Sequence, residues 1–360
     1  MLFPYKYVSH PIEKMQEYVD FIFNEVWCKA PNSEYGIELF EENSDLKGIV
    51  EYLWDYELAG KPKKSAVFFL TGLNKIFNAF KELEPPDIAQ FKAWYASNND
   101  IEKCCCNDAA IAPIRYDQLT VKFEKLTEEL EEFFKNLYSH NFLALETIKN
   151  HIGTVSDHYL KFVQQNDEDI CPFCGIMPMD GQFDPTRDAY DHYLPKSKYP
   201  FNSINFKNLP PACNTCNSKN KGAKDPINVN GATRKAFYPF THTPYKLEFE
   251  ITFSPRNWNE YKPGEITISV GPTQYDNEIK TWFDVYSIED RYKALMCKKN
   301  AGKYWITQAQ SWVRRGGKAE EYFVELAELE SISPYADFNF LKKPFLEACY
   351  QSGLFMINGT

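Results

Sequence analysis

The sequence lacks any uninterrupted apolar run that approaches the length of a bilayer span, so no transmembrane helix is predicted. Its opening residues, MLFPYKYVSH, also lack the basic start, long apolar stretch and small-residue cleavage site of a secretory signal. We therefore expect a soluble, cytoplasmic protein with no membrane association. In that compartment its ten cysteines should be reduced or metal-bound rather than paired in disulfides.

An overall positive charge is also missing. Forty lysines and arginines stand against fifty acidic residues, for a net charge of −10, which argues against a surface coated with positive charge. The window 192–224 departs from this balance, because it contains no Asp or Glu. It holds six lysines: Lys196, Lys198, Lys207, Lys219, Lys221 and Lys224. Charge alone does not separate a phosphate-facing surface from an ordinary solvated loop here.

What the chain does contain is enough apolar sequence for a core, with 44% hydrophobic residues in 360. Residues 1–168 are predicted to be mostly helical, because apolar residues recur at helical spacing. Residues 169–240 are rich in turn residues and predict loops and short strands. Residues 241–360 open with two alternating stretches, which predict a small antiparallel sheet, and then return to helices. The expected class is therefore α+β, mostly helical, with three segments.

Two Cys-x-x-Cys pairs stand at the start and the end of the middle region, Cys171–Cys174 and Cys213–Cys216. Each such knuckle directs two thiolates at one point, and two knuckles complete a tetrahedral sulfur site that suits structural zinc. A single pair could be redox-active, but two pairs in a chain expected to be cytoplasmic favour zinc. The 38 residues between them would then form a substructure whose ends the metal holds together.

Polar residues of a second kind lie between and just after the knuckles: Asp191-His192, Asn208 and Asn217. A carboxylate and an amide oxygen suit a hard divalent cation such as Mg²⁺. A neighbouring histidine can deprotonate water, and a second asparagine can hold that histidine in one orientation. Lysines can neutralise the charge that grows on a phosphate in the transition state. The pattern therefore suits cleavage of a phosphodiester bond.

The string YDHYLPKSKYPFNSINFKNLPPACNTCNSKNKG resembles the HNH, or His-Me finger, endonucleases, which share a ββα-metal fold of two strands and a helix. Asp191-His192 is similar to the Asp-His pair of that family, and Asn208-Leu209 to its central Asn and following Leu. Asn217 stands where the last histidine is usual, which makes this an HNN variant. The resemblance covers roughly residues 171–226.

The resemblance implies that His192 is the general base, and that Asp191 and Asn217 bind a catalytic Mg²⁺ or Mn²⁺. It implies that Asn208 pins the loop and orients His192. Asn220 is a competing candidate for the metal-binding amide. The candidates for nucleic-acid contact are Lys196, Lys198, Lys219 and Lys221.

The predicted function is therefore that of a metal-dependent endonuclease that cleaves DNA. The chain also resembles bacterial anti-phage defence effectors of the Septu type, which implies an ATPase partner. One alternative is a zinc-stabilised nucleic-acid-binding or scaffold protein that does not cut. Another is a nuclease that acts on RNA, such as tRNA, because the ββα core reads backbone phosphate rather than base.

Overall fold

The computed structural model describes residues 1–58, 64–257 and 260–354 of the chain. The protein is 57% helical, with three small antiparallel sheets among the described residues. This confirms the mostly helical α+β class. In the same ranges, every helix is too short or too polar to cross a bilayer.

The N-terminal half consists of helices that bury one apolar face each. They are α1 (Lys14–Phe21), α2 (Ser44–Leu58), α3 (Lys64–Lys81), α4 (Pro85–Asn99), α5 (Ile101–Cys106), α6 (Tyr116–Leu137), α7 (His140–Leu143), α8 (Glu146–Ile152) and α9 (Val155–Gln165). A π-helical turn, Ile22–Trp27, continues α1. Pro85 and Pro86 occupy the first positions of α4, where proline is favoured because its missing N–H would have no partner within the helix.

Gly153 separates α8 from α9. Its φ of +72° lies in the left-handed region that favours glycine. Thr154 then begins α9 with a capping box, since its hydroxyl oxygen accepts from the Asp157 backbone N–H at 3.1 Å. The stretch from Tyr116 to Gln164 is broken at two further places, which its periodicity did not predict.

The second half contains short strands and the remaining helices. The strands are β1 (Ala189–Tyr190), β2 (Pro211–Ala212), β3 (Asn228–Val229), β4 (Ala232–Thr233), β5 (Glu248–Phe253) and β6 (Ile266–Gly271). The helices are α10 (Asp276–Tyr286), α11 (Ile288–Met296), α12 (Gly302–Arg314), α13 (Ala319–Ile332) and α14 (Asn339–Gln351). Strands β5 and β6 pair antiparallel from Glu248–Gly271 to Phe253–Ile266, which confirms the predicted small antiparallel sheet. Its apolar face packs on α14.

Buried side chains form two clusters, and the loop between β1 and β2 contributes to both. Tyr190, Phe201 and Phe206 join the helical cluster of the N-terminal half. Tyr193 and Leu194 join a second cluster with the cysteine knuckles, the β5–β6 hairpin and the C-terminal helices. Residues 1–8 also contribute to the second cluster, so the clusters do not follow the three predicted segments. That division stays a prediction.

Candidate metal centre and adjacent polar site

The sulfur atoms of the two knuckles converge. Cys171, Cys174, Cys213 and Cys216 are all buried, and their Sγ atoms lie within 4.8 Å of one another. A tetrahedral zinc with bonds of about 2.3 Å has its sulfurs about 3.8 Å apart, which lies within this range. Within the described residues, no other group of His, Cys, Asp and Glu is arranged in this way.

Backbone geometry explains why each knuckle turns tightly. The N–H groups of Cys174 and Gly175 both donate to the carbonyl oxygen of Cys171, at 3.1 and 2.7 Å. Gly175 has a φ of +60°, and a Cβ there would lie 2.3 Å from Leu2 Cδ1. The N–H of Cys216 repeats the turn at the second knuckle by donating to the Cys213 carbonyl at 2.9 Å. Glycine after the first knuckle therefore avoids both backbone strain and this close contact.

Two C-terminal helices enclose the first knuckle. Trp282 Nε1 of α10 donates to the Phe173 carbonyl at 2.7 Å, and the Tyr292 hydroxyl of α11 donates to the Cys174 carbonyl at 2.9 Å. Arg291 of α11 donates from Nη1 to Cys216 Sγ at 3.3 Å. Hydrogen bonds from the other three thiols lower the pKa of Cys174 well below its usual value, and the charge of Arg291 adds to this. Sequence reasoning missed these residues, because nothing in the helices that carry them resembles a motif.

The polar site lies where the short hairpin β1–β2 opens. Ala189 pairs with Ala212, and Tyr190 pairs with Pro211. Beyond the strands, Asp191 N donates to the Pro210 carbonyl at 2.9 Å. The loop 191–210 therefore starts and ends at the same place, and the helical turn Thr215–Lys221 follows directly after β2.

His192 lies at the start of this loop, half-buried. Its Nε2 lies 2.9 Å from the carbonyl oxygen of Ser203. A carbonyl oxygen only accepts hydrogen bonds, so Nε2 carries the proton and Nδ1 of the neutral ring keeps its lone pair. Burial lowers the pKa of His192 to about 3, and the nearby charge of Lys196 contributes. The ring of Tyr138 packs edge-on against the imidazole, with 4.9 Å between centroids.

Asn208 joins the two ends of the loop. Its Oδ1 accepts from Leu194 N at 2.8 Å, and its Nδ2 donates to the Leu194 carbonyl at 3.0 Å. The side chain is fully buried, so these bonds are not replaced by water. The structure thus places Asn208 where it pins the loop, and it reaches His192 through the loop backbone rather than through the ring.

Helix α4 holds the far side of the loop. The Asn98 side chain, fully buried, donates from Nδ2 to the Pro200 carbonyl at 3.0 Å. In return, Asn202 Nδ2 donates to the Asn98 carbonyl at 3.1 Å. The loop contains only one short 3₁₀ turn, Phe206–Asn208, so contacts from a distant helix set much of its shape.

Lys221, expected from the sequence to contact phosphate, lies in the interior instead. Its Nζ is 2.9 Å from Asp191 Oδ1 and 2.8 Å from the His192 carbonyl oxygen. Its side chain has 0% exposure and that of Asp191 has 3%. A buried carboxylate without a cationic partner is costly, which explains why this lysine is drawn inward. In this structure Lys221 therefore does not reach a nucleic acid.

The second carboxylate oxygen of Asp191 makes no hydrogen bond. This atom, Oδ2, is buried. Burial raises the pKa of Asp191, while the charge and hydrogen bond of Lys221 oppose this. A buried acceptor oxygen without a donor fits a bound cation, and the donor set of carboxylate and amide oxygens is the one that Mg²⁺ and Mn²⁺ prefer.

Asn217 is the second oxygen donor that the sequence predicts. It is half-buried, it lies four residues before Lys221 on the same helical turn, and its side chain makes no hydrogen bond among the described residues. Asn220, the competing candidate, instead donates from Nδ2 to the Thr215 carbonyl at 2.7 Å. The structure therefore leaves the Asn217 amide freer than that of Asn220.

The remaining candidate lysines differ in their surroundings. Lys196 is half-buried, donates to the Lys135 carbonyl at 3.1 Å and lies over the Tyr138 ring, 5.9 Å from its centroid. Burial lowers its pKa. Lys198 is half-buried and Lys219 is exposed. Lys219 is thus the most accessible of the four.

Comparison of the chain with protein-family models gave no match, and searches against curated proteins and against solved structures found no significant similarity.

Proposed function

We propose that the protein is a metal-dependent endonuclease of the HNH type that hydrolyses phosphodiester bonds of DNA. The observation that carries the proposal is the position of His192. Its Nδ1 is unprotonated, and its neighbour in the chain, Asp191, has a buried oxygen without a hydrogen-bond partner. Supporting it are the order of elements, two short strands and a helical turn, and the cysteine cluster that joins both ends of this module.

In the proposed reaction, Nδ1 of His192 accepts a proton from a water molecule as the water oxygen attacks phosphorus. The bond from phosphorus to the 3′-oxygen breaks, and this oxygen takes a proton from solvent water, so the product ends are a 5′-phosphate and a 3′-hydroxyl. The Ser203 carbonyl keeps its hydrogen bond to Nε2 and so stabilises the imidazolium that forms. A divalent cation held by Asp191 and Asn217 would supply charge stabilisation at the phosphate.

The low pKa of free His192 is compatible with this role. A substrate phosphate near the ring adds negative charge, which favours the protonated imidazole and raises its pKa. The base therefore gains strength when the substrate is in place. Lys219, Lys198 and Lys196 are the proposed sources of positive charge along the backbone of the nucleic acid.

The test is a plasmid-nicking assay with Mg²⁺ or Mn²⁺ that compares the parent protein with His192→Ala. We expect a loss of about 10²-fold or more, the usual contribution of a general base. His242→Ala is the matched control, because His242 is exposed, and it should cut like the parent. Equal cutting by His192→Ala would remove His192 from the mechanism, and labelled DNA and tRNA in parallel would identify the substrate.

We infer that the ion at the cysteine cluster is zinc with a structural role. Cys213→Ser should lower the zinc content well below the expected value of about one per chain, and it should disorder the polar site because metal binding and local folding are coupled. Cys106→Ser is the control, since Cys106 is exposed and outside the cluster. Full zinc content in Cys213→Ser would contradict the assignment.

One observation favours a second candidate, a zinc-stabilised protein that binds nucleic acid or serves as a scaffold without cutting. The buried ion pair with Lys221 already neutralises Asp191 when no metal is present. Binding of DNA or RNA with no cleavage of either, across divalent metals, would select this candidate.

A role in anti-phage defence with an ATPase partner rests on sequence resemblance alone. Phage plating on cells that express the parent or His192→Ala, each together with a candidate ATPase, would test the role in defence. Equal plating on both would count against the role.

A further inference from the structure

We propose that Lys221 is a positioning residue for the divalent-metal site, whose ammonium group holds one oxygen of Asp191 so that only the other is presented to the cation. This rests on the proposed function, because it concerns the same site. It also reassigns a residue that the sequence placed on the surface.

The ammonium group joins both residues of the Asp191-His192 pair. It donates to Asp191 Oδ1 at 2.9 Å and to the His192 carbonyl oxygen at 2.8 Å. These two bonds fix the rotation of the carboxylate relative to the backbone that carries the imidazole. The carboxylate can therefore not turn its free oxygen away from the site without breaking a buried, charge-assisted hydrogen bond.

A competing interpretation is that Lys221 occupies the place of the metal and leaves when the metal arrives. The structure argues against it. The lysine side chain has 0% exposure, so its departure would open a void in the interior and would remove the donor from the His192 carbonyl oxygen. By contrast, Asp191 Oδ2 has no partner and can accept a cation while every existing contact is kept. The carboxylate would then bind the metal through one oxygen.

The helical turn Thr215–Lys221 relates Lys221 to the proposed amide ligand. It is a π-helical turn, closed by the Gly222 N–H, which donates to the Asn217 carbonyl at 2.8 Å. Residues four apart on a helix lie on one face, so Asn217 and Lys221 face the same side. Wide turns of this kind are common at functional sites. One turn thus carries a metal ligand and the residue that orients the other ligand.

The experiment measures Mn²⁺ binding by electron paramagnetic resonance, on the full-length, zinc-loaded protein without nucleic acid. Asp191→Asn identifies the signal that belongs to the site. We expect Lys221→Met to weaken Mn²⁺ binding by about tenfold or more, the usual effect of losing a residue that orients a metal ligand. Lys342→Met is the matched control, because Lys342 is 7% exposed and pairs with Asp337 at 2.6 Å, and it should leave the affinity unchanged.

Lys221→Gln and Lys221→Arg are measured as well, in case Lys221→Met does not fold. Circular dichroism and zinc content show whether each variant is folded. Lys221→Gln keeps a donor but loses the charge, and we expect weakened binding, whereas Lys221→Arg should retain more affinity. Unchanged or tighter Mn²⁺ binding in Lys221→Gln would overturn the proposal, and tighter binding would identify the lysine as a competitor of the metal.

The two proposals fail in different ways. A parent protein that cuts DNA, with unchanged Mn²⁺ affinity in Lys221→Gln, leaves the nuclease standing and removes the role of Lys221. A parent protein whose Asp191-dependent Mn²⁺ binding weakens in Lys221→Gln, but which cuts no nucleic acid, removes the nuclease alone. No Asp191-dependent Mn²⁺ binding in the parent would overturn the positioning role.

Discussion

The carbonyl oxygen of Ser203 lies 2.9 Å from Nε2 of His192, so the loop itself selects which nitrogen of the ring carries the proton. Eleven positions separate the two residues in the sequence. Hydrogen bonds from Asn208 and Asn98 to the backbone of the loop hold the segment in which this contact forms. A local feature of the proposed base is thus a product of long-range packing.

This tautomer can be measured. In the protein with ¹⁵N-labelled histidine, long-range ¹H–¹⁵N correlation spectra should show His192 as the Nε2–H form at neutral pH, since a carbonyl accepts from that nitrogen. His192→Ala assigns the signal by its disappearance. Observation of the Nδ1–H form would mean that the lone pair faces Ser203, and would contradict the proposed role as a base.

Arg291 provides a test of the metal centre. Arg291→Met removes the N–H group that donates to Cys216 Sγ at 3.3 Å, together with the compensating positive charge. Loss of such a contact typically weakens metal affinity by about 10- to 100-fold. Zinc release to a competing chelator should therefore be faster, while Arg315→Met, an exposed control at the end of α12, should release zinc like the parent. Identical release from Arg291→Met would show that the thiolates hold the ion without help.

Asn208→Ala should cost stability as well as activity. The substitution leaves the N–H and carbonyl of Leu194 without partners in a buried position, at about 2–3 kcal/mol of unfolding free energy. Urea denaturation measures this cost. The plasmid-nicking assay measures the fall in activity that we expect from a less ordered loop. Asn150→Ala, on the exposed surface of α8, is the control. Full activity in Asn208→Ala would show that the loop keeps its shape without the amide.

His158 predicts a dependence of stability on pH. It is buried, and its Nδ1 is hydrogen-bonded to the Tyr190 hydroxyl. Burial lowers its pKa from 6.5 to about 4, with a contribution from His10. The unfolded chain therefore binds more protons between these values, so the stabilisation is present above pH 6.5 and is lost as the pH falls towards 4. The loss should reach about 3 kcal/mol.

Urea denaturation at several pH values measures this loss. The slope over that range should be smaller in His158→Gln than in the parent protein, because glutamine does not titrate. His242→Gln, at an exposed position, should keep the parent slope. Equal slopes in parent and His158→Gln would show that other groups cause the pH dependence.

Much of this arrangement could be predicted from the sequence, because the signals were local. The knuckle spacing led to a cluster of four sulfurs, and alternating residues led to the β5–β6 hairpin. Gly153 and Pro85 ended or began helices as their backbone restrictions require. The sequence also indicated that Asn208 closes the loop, and the structure places it there.

The environment of charged residues could not be predicted in this way. Lys221 and Lys219 are two positions apart in a lysine-rich window, yet one is buried on Asp191 and the other is exposed. The interior position of Lys221 goes with its contacts to Asp191 and the His192 carbonyl, which no residue pattern predicts. Arg291 was equally hidden, since its partner Cys216 lies 75 positions away and no motif joins them. Such pairings depend on tertiary packing.

The hold of α4 on the loop has a consequence for how this module can be used. The loop 191–210 does not take its shape from its own residues alone, because Asn98 donates to its backbone and the ring of Tyr138 packs against His192. A fragment that starts at the first knuckle would keep the four cysteines and His192 but lose the upstream side chains that contact the loop. Grafting or trimming the chain must therefore carry the upstream helices along.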